Sequence, residues 1–160
     1  MRVLFFELKT TAILHTIYKK LFHNKEVKME NTFYCLIVGS RTYSDYDEFK
    51  RIADDLLKNK ENIVIVSGGA NGADSLAKLY AKEKGYEFLE FPADWNTYGK
   101  RAGYIRNEQM HKHIAKYAQR GCIAFWDGQS TGTTHNFSLA KQYKNPIRVF
   151  NVINKQFLNL

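Results

Sequence analysis

Five short apolar runs, each leading into a polar or glycine-bearing stretch, restrict what this chain can fold into more than any other feature. They lie at 34–38, 63–66, 86–91, 122–126 and 147–150. The runs at 34–38, 63–66 and 122–126 are apolar without alternation, as strands are when both faces of their sheet are covered. Helical patterns fall between the runs. Phe49, Ile52, Ala53, Leu56 and Leu57 follow an N-cap at Ser44 or Asp45, and Leu76, Leu79 and Tyr80 precede a stop at Gly85. A further helix is predicted over about 105–119 and another ending near 143. This alternation predicts an α/β three-layer fold. Its centre is a parallel sheet of about five strands, with helices on both faces and right-handed crossovers.

In such sheets ligands bind beyond the carboxyl ends of the strands, where the strand order reverses. The segments 39–41, 67–74, 92–103 and 127–134 all fall on that edge. Ser67-Gly68-Gly69-Ala70-Asn71-Gly72-Ala73-Asp74 stands between a strand and a helix start, a placement suited to an anion: glycines allow close approach and helix N-termini present amides. No Gly-Lys-Ser/Thr follows, and the spacing is not that of the dinucleotide GxGxxG. The other reading is a tight turn that binds nothing, with Asp74 held by the first turn of its own helix. The stretch with Gly128, Ser130, Thr131, Gly132, Thr133 and Thr134 offers a second phosphate cradle, or else a helix cap and hydroxyl turn.

Arg41, Lys100, Arg101 and Arg106 lie on or beside the same edge. Arg106 is predicted to open a helix, where a cation is disfavoured unless an anion accompanies it; a salt bridge to Asp94 or Glu108 is the alternative. Trp95, Tyr98 and Tyr104 would stack on a base or pin their loop to the core. His111 and His113, two apart on a helix, make no metal pair and are predicted at the surface. His135 has no nucleophile beside it. No metal motif and no Ser-His-Asp arrangement is present, and no cofactor is assigned.

At 160 residues the chain suits one domain, with 44% hydrophobic and 25% charged residues. No apolar run approaches the ~20 residues of a membrane span. Half of the net charge of +8 sits in residues 1–28, where Arg2, Lys9, Lys19, Lys20, Lys25 and Lys28 meet only Glu7 and Glu26. Residues 1–30 are therefore expected to be a dispensable N-terminal extension, helical or poorly ordered. Its apolar face would run through Leu4, Phe5, Leu8, Ala12, Ile13, Ile17, Leu21 and Phe22. Residues 31–153 would form the domain and 154–160 a tail. Cys35 and Cys122 fit buried small hydrophobes in a reducing cytoplasm.

The motifs GSR at 39–41, SGGANGAD at 67–74, PADW at 92–95, GKRAGYIRNEQM at 99–110 and DGQSTGT at 127–133 resemble the YspA-like branch of the SLOG superfamily. The resemblance spans roughly 33–150. These are Rossmann-like domains related to the LOG phosphoribohydrolases and to the DNA-processing protein DprA. It implies a nucleotide or nucleotide-derived ligand held by Gly39, Ser40 and Arg41, and by Ser67, Gly68, Gly69, Ala70, Asn71, Gly72 and Asp74. Asp94, Trp95, Lys100, Arg106 and Asn107 would join them, with the 128–134 stretch opposite. The protein would act as a sensor or as an enzyme of undetermined reaction. LOG enzymes use an arginine, matched by Arg106, and a glutamate whose position falls on Asn136; Asn107 stands where they carry lysine. Asparagine cannot transfer a proton at neutral pH, so an N-glycosidic hydrolase, with Arg106 as its catalytic residue, is the second expectation. DprA-like binding of single-stranded DNA is the third, and nucleic acid ranks below a small molecule. A homodimer follows from family habit and the many aromatic residues.

Overall fold

A computed structural model describes the backbone of residues 2–159 and the side chains of 13–27 and 31–159. The chain divides into two compact units, residues 1–31 and 32–160. The first is one helix, α1 (Arg2–Glu30). On it Ile13, Ile17 and Leu21, and beside them Leu14, Tyr18 and Phe22, form two exposed rows of apolar side chains four residues apart. Such spacing brings Tyr18 and Phe22 into ring contact at 4.4 Å. The side chains of Leu4, Phe5, Leu8 and Ala12, and those of Arg2, Glu7, Lys9 and Lys28, lie outside the described residues. Among the described residues no helix is long and apolar enough to cross a membrane.

The second unit contains β1 (Phe33–Gly39), α2 (Tyr46–Leu57), β2 (Ile63–Ser67), α3 (Ala73–Lys84), β3 (Glu87–Glu90) and α4 (Trp95–Tyr98). After a 3-10 turn (Gly99–Arg101) come α5 (Ala102–Ile114), β4 (Arg120–Trp126), α6 (Thr131–Gln142), β5 (Ile147–Asn151) and β6 (Gln156–Leu158). The sheet order is β3-β2-β1-β4-β5-β6, and the first five strands are parallel. Alternate residues of β1 serve opposite layers. Cys35 and Ile37 pack with Phe49, Ile52, Ala77 and Tyr80 of α2 and α3, while Leu36 and Val38 pack with Met110 and Ile114 of α5. The chain builds outward from β1 to β3, then returns to place β4 on the other side of β1. Adjacent crossovers diverge there, which opens a crevice at the carboxyl ends of β1 and β4.

The sheet departs from the predicted five parallel strands by one antiparallel addition. Residues 154–160, expected as a tail, contain β6, which pairs with β5 through Phe150 and Phe157. The reversal is made by Asn151, whose side-chain oxygen accepts from the amides of Ile153 and Asn154, and by Lys155 at φ 60°. Its sequence signal is only the short turn Ile153-Asn154-Lys155. Both cysteines are buried and free, and burial pushes the Cys35 thiol up to about 12.

Candidate functional site

A cavity of about 530 Å³ occupies the crevice. Of the predicted residues, Gly39, Arg41, Ala70, Asp74, Trp95, Lys100, Arg106, Asn107, Ser130, Thr131, Gly132 and Thr133 line it. Four segments far apart in sequence thus meet because each follows a strand on the same edge of the sheet.

The remaining predicted residues stand behind the wall or beside it. Ser40 is buried; its amide donates to the Phe125 carbonyl at 2.8 Å, and its hydroxyl accepts from the Asp127 amide at 3.0 Å. Ser67 is buried too and donates its hydroxyl to the Ile37 carbonyl at 2.8 Å. Asn71 is exposed. Asp94 caps α4 by accepting from the Thr97 amide at 3.0 Å. Gly128 turns the chain at φ 83°, and Thr134 turns its hydroxyl back onto the Thr131 carbonyl.

The glycines of the first loop make room for the protein's own neighbours. A Cβ on Gly68 would run into the Arg106 guanidinium, and one on Gly72, at φ 75°, into the Ser40 carbonyl. Gly69, at φ 70°, lies against Glu90. One donor in the loop before α3 and one in its first turn are taken by the protein itself. The Ala70 amide donates to Asp74 Oδ2 at 3.2 Å, and the Ala73 amide to the Ser40 carbonyl at 3.2 Å. The second loop differs. Asp127, a cavity residue absent from the predicted set, accepts from the amides of Gln129 at 3.0 Å and Ser130 at 2.7 Å. The first intrahelical bond of α6 then starts at the Thr134 amide. The amides of Thr131, Gly132 and Thr133 have no acceptor among the described hydrogen bonds, so this end of α6 has donors to offer an anion.

Arg106 and Asn107 tie the two loops together. Arg106 lies in the second turn of α5, which begins at Ala102, and not at the helix start. It donates from Nη1 to the Gly68 carbonyl and from Nε to Asn107 Oδ1 at 3.0 Å, while Asn107 donates to the Gly132 carbonyl at 3.3 Å. The counter-charge of Arg106 is Asp74 at 3.9 Å, rather than Asp94 or Glu108; Glu108 instead accepts from the Tyr143 hydroxyl. Burial pushes Asp74 up to about 6, against the pull of Arg106, the Ala70 and Gly68 amides and Arg41. Burial likewise lowers Arg106, with Asp74 opposing it. At Asp127 burial works to raise the pKa. The Gln129 and Ser130 amides and the Ser40 hydroxyl outweigh it, and the carboxyl titrates below its ordinary range.

His111 overturns the expectation of a surface residue. It is 0% exposed, on the stripe of α5 that also carries Asn107, Met110 and Ile114. Its Nδ1 accepts from Asn145 at 3.1 Å, which leaves Nε2 to donate to Asn136 Oδ1 at 3.2 Å. Burial pushes its pKa down to about 4, so the ring stays neutral. Asn136 passes the chain on, donating to the Gly132 carbonyl at 2.9 Å. The residue at the LOG glutamate position therefore fastens α6 to α5. His113 is half-buried among the rings of Tyr34, Phe91 and Tyr117.

The mouth is aromatic and cationic. Trp95 and Tyr104 line it about half exposed, and Arg41 lies 6.0 Å from the Trp95 ring centre. Tyr98, equally exposed, stays off the wall. Among the described residues no three His, Cys, Asp or Glu side chains gather as metal ligands. Gly68→Ala tests the central contact. Since the obstructed atoms are the far end of a flexible side chain, the melting temperature should stay near that of the parent while Arg106 is displaced and ligand affinity falls. Unchanged affinity would remove Arg106 from the site.

Comparison with known proteins places this geometry. The family model described as YspA, cpYpsA-related SLOG family matches residues 35–98. The Gene 61 protein of Mycobacterium phage D29 is 35% identical over 118 residues, covering 70% of this chain and 91% of that protein. Among solved structures, DNA processing protein A of Helicobacter pylori, studied for its single-stranded DNA binding mode, superposes with a TM-score of 0.55 at 22% identity. That match covers 81% of this chain and 70% of the other. DNA processing protein A of Streptococcus pneumoniae gives 0.55 at 17% identity, covering 80% of this chain and 54% of its own. These two likenesses show the fold, an α/β Rossmann-like architecture. With the phage relative matched over most of its length and the family model matched from β1 through α4, the chain belongs to the YspA, cpYpsA-related SLOG family.

Proposed function

We propose that this protein binds a nucleotide or nucleotide-derived small molecule in the crevice at the ends of β1 and β4. The carrying observation is the combination on one cavity wall of the buried Arg106, the unpaired first-turn amides of α6 and the half-exposed Trp95 and Tyr104. A phosphate suits the amides and cations, and a base suits the rings. The unit 32–160 carries every one of these groups, and residues 1–30 are dispensable for them. Localisation in the cytoplasm fits such a ligand. N-glycosidic hydrolysis of the LOG type draws no support from Asn136, both ends of whose amide are engaged within the protein.

The test is a melting-temperature shift against nucleoside mono-, di- and triphosphates, cyclic nucleotides and ADP-ribose. Ligand at about 100 times its dissociation constant should add roughly 2.7 kcal/mol of stability. A selective shift supports the reading, and no shift across the panel rejects it. A second reading, single-stranded DNA binding, is favoured by Trp95, Tyr98 and Tyr104 standing exposed near Arg41 and Lys100. It predicts oligonucleotide affinity that falls steeply with salt.

A further inference from the structure

We infer that Asp74 and the anionic group of a ligand compete for Arg106, so that the ligand is taken up together with a proton. This rests on the reading above only in requiring that the ligand carry an anion. Asp74 and Arg106 are 4% and 7% exposed, both line the cavity, and Asp74 Oδ2 lies 3.9 Å from Arg106 Nη1. Nη1 and Nε are spent on Gly68 and Asn107. Nη1 is also the guanidinium nitrogen nearest Asp74, and both residues line the cavity, so an anion that reaches Arg106 from the cavity meets the face shared with the carboxylate. An anion seated on that face stands beside Asp74 in a poorly solvated wall. Two negative charges then share one cation, and the arrangement is relieved when the carboxyl takes a proton.

Asp74 is prepared for that step, since burial already brings its titration to about 6. The charges that act on it are Arg106 from α5 and Arg41 from the loop after β1; Lys100 and Asp127 complete those of the cavity wall. Asp127 cannot take the same part, because its carboxyl is held ionised by the amides it caps. The sign follows from linkage. In the free protein Asp74 is protonated below about pH 6, and in the complex its pKa lies higher. Affinity for the anion is thus flat at low pH and falls as pH rises through the free-protein value, by up to about tenfold per unit.

Inorganic sulfate is the probe, because it stays a dianion from pH 5 to 8 and contributes no titration of its own. The full chain is melted against a millimolar sulfate series at pH 5.5 and 7.5, with sodium chloride at matched ionic strength as reference. The half-saturating sulfate concentration should be roughly tenfold lower at pH 5.5. In Asp74→Asn, whose side-chain oxygen still accepts from the Ala70 amide, it should be low at both pH values. Arg106→Ala should abolish the sulfate response. The inference is overturned if the parent shows no pH dependence, or if Asp74→Asn keeps it, which would assign the effect to His113 or His135. It is also overturned if Asp74→Asn shows no sulfate response at either pH. A nucleotide panel that fails while the sulfate series behaves as stated would reject the proposed ligand and leave Asp74 in its role.

Discussion

Arg106→Ala is expected to remove the nucleotide-dependent rise in melting temperature, with affinity reduced by roughly 10- to 100-fold. That range corresponds to about 1.5–3 kcal/mol, the usual worth of hydrogen bonds to a charged partner. Two consequences follow from one deletion. The ligand loses the cation in the cavity wall, and the bridge from the Gly68 carbonyl through Asn107 to the Gly132 carbonyl loses its first member. Asp74 also loses its nearest counter-charge while 4% exposed, so the variant should favour the protonated carboxyl more than the parent does. Arg106→Lys keeps a charge but not the planar fork that reaches Gly68 and Asn107 together, and should recover only part of the affinity. Titration of each variant with the nucleotide that scores in the panel decides the matter. Affinity in Arg106→Ala within twofold of the parent would mean that the ligand sits elsewhere.

Phe125→Ala should cost about 3–5 kcal/mol of stability, the range for truncating a fully buried aromatic residue. Phe125 is 0% exposed, with ring centres 4.5 Å from Phe49, 5.3 Å from Tyr43 and 6.4 Å from Phe150. It is the point where β4, α2 and β5 meet. Its backbone carbonyl accepts from the Ser40 amide, and a Cβ on Gly39 would strike that same carbonyl. The loss should therefore reach the site as well, loosening the segment that carries Arg41. Thermal unfolding should show a drop of roughly 10 °C or more for a unit of this size, with Phe125→Leu recovering much of it. A change below about 1 kcal/mol would contradict the packing between α2 and the sheet.

The contrast between the two substitutions separates what is local from what is distributed. Phe125 belongs to a run whose burial is evident from its neighbours in sequence. Arg106 owes its position to Gly68, 38 residues away.

That difference marks the division between sequence and tertiary structure here. Runs such as 34–38 and 63–66 announce doubly covered strands, and strands alternating with helices imply a parallel sheet. A parallel sheet puts every strand-to-helix loop on one edge. These are consequences of short-range pattern and chain geometry, so the crevice at the ends of β1 and β4 and most of its wall were legible from residue order. Other features depend on which side chains meet across that edge. The burial of His111 needed Asn136 and Asn145 from α6 and the turn after it. β6 needed a free sheet edge at β5, against which a three-residue strand could pair. Gly68 and Gly72, conspicuous as a phosphate loop, proved to admit Arg106 and the Ser40 carbonyl. The Asp74 carboxyl accepts from the Ala70 amide in the loop before α3. A glycine's freedom is visible in sequence, but the atom that uses it is chosen by packing. The same holds for charge: Arg106 is always a cation, and only the fold decides that its partner is the Asp74 carboxyl.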